Sequence, residues 1–216
     1  GAALLRGEVE QVAADRRVCT RITVYGHYIP AAGSEGAAHG AGANASICCD
    51  LLELTAEQCR SYGPVDFVWA SPPCTFYSIA RTTGPPPDLE AADRLVQKCL
   101  DLAAELGVPF IMENPWTGKL KNRPVVQGIP MRTVDYCMYG AAYRKRTALW
   151  TNTEFTPARP LCAYTCGSCV GRRHVERAQR GSWAGAGERR SQGLRTLYAL
   201  PQALCEEIAA FAGGLP

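Results

Sequence analysis

Apolar positions along this chain fall into short runs punctuated by glycine and proline, with one long helical pattern among them. Residues 65–70 (V-D-F-V-W-A) carry little polarity and run into Pro72 and Pro73. Such a run predicts a strand buried on both faces, the kind found in parallel sheets. Neither proline can continue a strand or a helix interior, so the backbone leaves the sheet there in a fixed extended direction. A second apolar run, residues 108–112, leads into Glu113-Asn114-Pro115. Between the two, Leu89, Ala92, Leu95, Val96, Cys99, Leu102, Ala103 and Leu106 recur at helical spacing, and Gly107 is a stop signal. Strand, helix and strand of this length predict one βαβ unit, whose right-handed crossover returns the second strand parallel to the first. Cys74 and Glu113 then reach the same sheet edge, where open α/β sheets build their sites. Cysteine is often inert buried filler, but a loop at a strand end supplies the partial exposure that reactivity needs.

The rest of the pattern is weaker. Residues 2–5 and 21–25 read as strands, and residues 8–15, with Val9, Val12 and Ala13 on one side, read as an amphipathic helix. Residues 31–46 are rich in Ala and Gly, can bury almost nothing and predict a mobile loop. The G-A-G-A-N-A within it echoes a nucleotide-binding turn but follows no strand, so it carries no weight. Residues 115–130 form a Gly/Pro-punctuated loop whose Lys119, Lys121 and Arg123 face either a phosphate backbone or solvent. Residues 134–139 and 147–151 read as strands, and residues 201–211 as a helix with Leu204, Ile208 and Phe211 inward.

Taken in order, Ser71-Pro-Pro-Cys74, Glu113-Asn-Pro and Arg144-Lys145-Arg146 resemble the motifs of the DNA cytosine-C5 methyltransferases. The longer runs C-C-D-L-L, D-Y-C-M-Y-G, Y-R-K-R-T-A-L-W-T-N and L-P-Q-A-L-C-E-E-I are similar to the small methylases of phages and mobile elements. The resemblance covers the chain from about Ile47 onward. It implies a doubly wound, Rossmann-like α/β sheet over residues 1–152, a short target-recognition insert over 153–195, and a helix in 196–216 that returns to the core. A short insert suggests a short recognition sequence. The resemblance further implies S-adenosyl-L-methionine as methyl donor and double-stranded DNA as partner, with the cytosine flipped from the stack. Cys74 is then the nucleophile, Glu113 its acid partner, and Arg144 and Arg146 lie over the base. Amino-methyltransferases carry an aromatic residue where Cys74 stands, which argues against adenine chemistry. Asp50 stands where the family contacts the donor's adenine, with Pro72 and Gly7 completing the cofactor set; Asp50 also reads as a helix N-cap.

The N-terminal part departs from the pattern. The strand read at residues 2–5 is followed by Arg6-Gly7 without Phe-x-Gly-x-Gly, and no carboxylate follows residues 21–25 before Glu35. The donor-binding motif is therefore read as degenerate or truncated, and the chain, which lacks an initiator Met, as a processed or excised piece of something longer. Loss of two charge-assisted ribose bonds implies a dissociation constant no tighter than about 0.1–1 mM for the donor.

Charge and cysteine content add two features. At 216 residues the chain can bury the core of one α/β domain. Residues 1–140 hold 12 Lys+Arg against 15 Asp+Glu, whereas residues 141–195 hold 11 against 3, almost all arginine. Arginine forks suit phosphates, so this block reads as a nucleic-acid footprint, or else as a solvated face. Eleven cysteines without a signal peptide fit a reduced intracellular compartment, the nucleus or a host cytoplasm, and no apolar run reaches membrane-spanning length. Cys162, Cys166, Cys169 and His174 form C-x3-C-x2-C-x4-H, which reads as a closed zinc site or as free thiols with His174 near phosphate. Two other functions fit the same residues: a non-catalytic relic that binds nucleic acid, and an RNA cytosine methyltransferase. Nothing in the sequence fixes an oligomeric state.

Overall fold

The computed structural model describes residues 4–12, 19–27, 45–48, 50–61, 63–80, 85–178 and 199–215, with the first three strands described by their backbone. The chain divides into two compact units. The first comprises Gly1–Asn114, Gly118–Pro130 and Trp150–Glu154. Its strands β1 (Leu4–Val12), β2 (Cys19–His27), β3 (Ala45–Cys48), β4 (Phe67–Ser71) and β5 (Phe110–Pro115) lie in the order β3-β1-β2-β4-β5. β2 runs antiparallel to both neighbours, while β1–β3 and β4–β5 are parallel. The class is α/β, as the hydrophobic pattern predicts.

The predicted βαβ unit is present. Helix α2 (Leu89–Leu106) follows a short helix α1 (Ala56–Arg60) and packs on β4. Asp88 caps α2 by accepting from the Ala91 N–H at 2.9 Å. Gly107 ends it at φ +72, a conformation that costs glycine nothing, and its N–H returns to the Ala103 carbonyl at 3.0 Å. Ala92, Val96, Cys99 and Leu102 form the buried stripe. Burial pushes the Cys99 thiol up to about 12, so this cysteine is filler.

Two expectations are corrected. Residues 8–12, read as part of an amphipathic helix, belong to strand β1, and β1 does not stop at Leu5. Val9 and Val12 fit a helical stripe, but nine residues of antiparallel pairing with β2 and a parallel partner in β3 satisfy this backbone as a strand. Of residues 31–46, Ala45 and Ser46 open β3, and the others lie outside the described residues.

The second unit comprises Pro115–Thr117, Met131–Leu149 and Phe155–Pro216. It holds β6 (Met131–Asp135), the start of β7 (Arg146–Thr151), a hairpin of β8 (Cys169–Val170) and β9 (Arg173–His174), and helix α3 (Gln202–Ala212). Residues 134–139, read as one strand, split after Asp135 into a 3-10 turn, Tyr136–Tyr139, that Gly140 closes at φ +95. The turn buries Tyr136, Cys137 and Tyr139 together, a grouping that strand alternation cannot produce. Phe155 meets Phe211 of α3 edge to face at 5.2 Å, and the Glu207 carboxylate accepts from the Ala158 N–H at 2.8 Å.

Candidate functional site

In the first unit β4 is buried through Ala70, Pro72 and Pro73 are buried after it, and Cys74 emerges half-buried. The register pairs Val68 with Phe110, Trp69 with Ile111 and Ala70 with Met112, so Ser71-Pro72 and Glu113-Asn114 follow the paired stretch at the same end. The Asn114 amide confirms it, since its Nδ2 donates to the Pro72 carbonyl at 2.9 Å. Asn114 is fully buried, and its Oδ1 has no hydrogen-bond partner among the described residues. Glu113 is buried as well. Beyond Cys74 the chain turns back, with the Tyr77 N–H donating to the Cys74 carbonyl at 3.1 Å. Tyr77 is fully buried, and its hydroxyl donates to Asp93 of α2 at 2.8 Å. Asp93 in turn accepts two bonds from Arg123, at 2.8 and 2.6 Å. Burial and then Asp93 hold the Tyr77 phenol well above its ordinary pKa, so it stays a neutral donor. The Pro-Pro-Cys loop is thus pinned to β5 on one side and to α2 on the other, which leaves a partly exposed thiol on a rigid support.

The second unit holds the arginine motif. Arg146 opens β7, and its Nε and Nη2 donate to the two oxygens of Asp135 at 3.0 and 2.7 Å. Asp135 is fully buried and also accepts from the Cys162 backbone N–H at 3.0 Å. Burial alone would raise the Asp135 pKa, but the Arg146 fork and the Cys162 N–H outweigh it and hold the carboxyl below the usual range. The Arg146 guanidinium lies 5.9 Å from the Trp116 ring centre. Much of the basic block is likewise seated on aromatic rings. Arg144 and Arg172 lie 5.2 and 5.8 Å from Tyr164, and Lys145 and Arg159 lie 4.8 Å from Tyr136 and Tyr139 respectively. These cations help build the unit. Arg172 and Arg173 remain exposed at the hairpin turn.

Beside Asp135 is a cysteine cluster. The ligand atoms of Cys137, Cys162, Cys166 and His174 all lie within 4.8 Å of one another. His174 Nε2 is 3.5 Å from Cys162 Sγ and 3.4 Å from Cys166 Sγ. Cys169 Sγ is 3.5 Å from Cys166 Sγ but falls outside that mutual set. Burial, then Cys162, pushes the Cys137 thiol well up; at Cys166 burial opposes the thiolate, but the Ser168 N–H and the neighbouring thiols prevail and lower its pKa.

No family model matches the chain. A curated protein of Frog virus 3 (isolate Goorha), "Probable DNA (cytosine-5)-methyltransferase", is 32% identical over 184 residues, covering 74% of this chain and 81% of the relative. The chain belongs to the DNA (cytosine-5)-methyltransferase family. It is therefore a member of an enzyme family, as its ordered motifs imply.

The sequence-predicted residues of this methyltransferase divide between the units. Cys74, Glu113, Pro72, Asp50 and Gly7 lie in the first, and Arg144, Arg146, Cys162, Cys166, Cys169 and His174 in the second. Register brings Pro72, Glu113 and the start of the Cys74 loop to one edge. Asp50 caps the 3-10 turn Leu51–Glu53, its Oδ1 accepting from the Leu52 N–H at 3.0 Å. Gly7 lies inside β1, paired with Val24 and Ala45, and so occupies no turn after a strand. Sequence reasoning missed Asn114 as the anchor of the loop, Asp135 as the partner of Arg146, and Cys137 in the cluster. Asn114 had a signal, its place next to Glu113; Asp135 and Cys137 had only their place in the run D-Y-C-M-Y-G, which points to neither partner. A cavity of about 550 Å³ in the second unit, bordered by Tyr139, Tyr143, Glu176 and the start of α3, includes none of the predicted residues. No helix among the described residues is long and apolar enough to cross a membrane.

Proposed function

We propose that this chain transfers a methyl group from S-adenosylmethionine to C5 of cytosine in DNA through a covalent adduct at Cys74. The observation that carries the reading is the anchored Pro-Pro-Cys loop. It presents a half-buried Cys74 past β4, at the edge where the parallel neighbour β5 carries Glu113. The target cytosine leaves the duplex, because its C5 and C6 are out of reach inside the stack. The Cys74 thiolate adds to C6 and breaks the C5–C6 double bond, while Glu113 protonates N3, so that electron density collects at C5. When bound, S-adenosylmethionine supplies the methyl group that C5 takes up. Return of the N3 proton to Glu113 and loss of the C5 proton to a base then restore the C5–C6 double bond and expel Cys74 as thiolate.

Arg144 and Arg146 carry the role that their motif implies, steadying the base and its developing charge. Asp135 occupies the Nε and one Nη2 bond of Arg146, which leaves Nη1 for that task. Exposed Arg172 and Arg173 suit phosphate contacts, with residues 153–195 as a short target-recognition region. Family membership and the β4–α2–β5 unit support a doubly wound, Rossmann-like sheet, and the cysteine content supports work in a reduced intracellular compartment. The donor residues fit least well. Asp50 already caps a turn and Gly7 is paired within β1, which favours weak donor binding and, as a second reading, a DNA-binding relative without transfer. Incubation with labelled donor and either unmethylated genomic DNA or RNA, followed by bisulfite sequencing, tests both. Label at cytosine C5 in DNA is the expected result. Salt-dependent binding without label would establish the relic, and label in RNA alone would move the substrate class.

A further inference from the structure

We propose that Cys137, Cys162, Cys166 and His174 hold one zinc ion in a closed, tetrahedral structural site. Zinc bonds of about 2.3 Å to sulfur and about 2.0–2.1 Å to nitrogen put the S···N edges of a tetrahedron near 3.6 Å and the S···S edges near 3.8 Å. The two S···N separations at His174 are 3.5 and 3.4 Å, and no pair in the set exceeds 4.8 Å. Cys137, Cys162 and His174 are buried and Cys166 is half-buried, as a closed site requires.

The local backbone is also shaped for thiolate ligands. Tyr164, two residues after Cys162, donates its N–H to Cys162 Sγ at 3.3 Å. Cys166 is likewise followed by a bend through Gly167. The residues at these turns, Tyr164 and Gly167, have φ of +68 and +78, and Tyr164 is the one non-glycine residue at positive φ among those described. Left-handed backbone costs a tyrosine about 1 kcal/mol or more, so a surrounding constraint must hold it there. The hairpin then turns at Gly171, φ +59, and brings His174 back opposite Cys169.

This set replaces Cys169 with Cys137. Cys169 pairs across the hairpin and touches Cys166, but it lies outside the mutual group. Cys137 comes from the turn after β6, so the ion joins three segments that share little regular structure: Tyr136–Tyr139, the Cys162–Cys166 loop and the hairpin. It also reaches the arginine motif. Cys162 would bind the ion through sulfur while its N–H holds Asp135, and Asp135 holds Arg146. The site is thus a positioning device for Arg146, a consequence that alone rests on the methyltransferase reading.

The whole chain, purified under reducing conditions, is expected to carry one zinc by metal analysis, and cobalt exchange should give the spectrum of a tetrahedral three-thiolate, one-imidazole site. Competition with a chromophoric chelator should show Cys137→Ser weakening metal binding by about 100-fold or more, and Cys169→Ser by less than about 3-fold. If Cys137→Ser does not fold, alkylation of the zinc-loaded wild-type chain decides. Cys169 should then be labelled without metal release, while Cys166 stays protected until chelator is added. Absence of metal overturns the site. Metal loss in Cys169→Ser, protection of Cys169 by the ion, or undiminished affinity in Cys137→Ser overturns the ligand set. None of these readouts depends on methyl transfer.

Discussion

In the first unit the candidate nucleophile is placed by backbone. β4 and β5 run parallel in fixed register, two prolines direct the exit, and one amide and one tyrosine pin the loop that carries Cys74. In the second unit the functional groups are placed by one another. Arg146 is held by Asp135, Asp135 by the Cys162 N–H, and Cys162 lies in a cluster drawn from three segments. The first arrangement should let a reactive side chain change without harm to its surroundings. The second should pass damage from one member to the next.

The sharpest separation comes from the nucleophile. Cys74→Ser is expected to lower methyl transfer by about 10³-fold or more, because a serine hydroxyl is far less ionised and less nucleophilic than a thiol. DNA affinity should stay within a few-fold and the melting temperature nearly unchanged; a large stability loss would put Cys74 among the packing residues. Next, Glu113→Gln should reduce transfer by about 10², as expected for loss of a positioned acid. A near-normal rate would leave Glu113 with a structural role.

Asp135→Asn should behave in the opposite way and cost stability. Breaking a fully buried ion pair costs about 3–5 kcal/mol, and Arg146 keeps 29% side-chain exposure, so about 2–3 kcal/mol in denaturant unfolding is expected. Acid offers a second readout. The folded-state pKa of Asp135 is depressed, so its contribution is complete above the unfolded carboxylate value of about 4 and is lost as pH falls through the lower folded value. The wild-type chain should therefore lose stability more steeply below about pH 4 than Asp135→Asn. Parallel curves would contradict the pairing. The smallest effect belongs to Asn114→Ala, which strands the buried Pro72 carbonyl and should cost about 1–2 kcal/mol. A loss as large as that at Asp135 would erase the contrast between the units.

The same contrast decides what was legible in sequence. The path from β4 to Glu113 could be read because each signal is local: apolar runs, a helical stripe closed by Gly107, and two prolines before Cys74. β1 could not, since Val9 and Val12 satisfy a helical stripe and only distant pairing with β2 and β3 decides for a strand. Cys162, Cys166 and His174 announced themselves by spacing, yet Cys137 lies far upstream in a segment whose apolar residues imitate a strand. No spacing rule reaches it. Asp135 shows the same limit, because a buried carboxylate reveals its arginine only once the chain is folded.

The central claim, a covalent adduct at Cys74 on cytosine in DNA, is tested most directly by trapping. DNA containing 5-fluorocytosine, incubated with the chain and S-adenosylmethionine, should form a stable protein–DNA complex, because fluorine cannot leave as the C5 proton does. Peptide mapping by mass spectrometry should place the attachment at Cys74, and Cys74→Ser should form no complex. Attachment through any other cysteine, or methyl transfer to ordinary DNA with no trapped complex, would contradict the account.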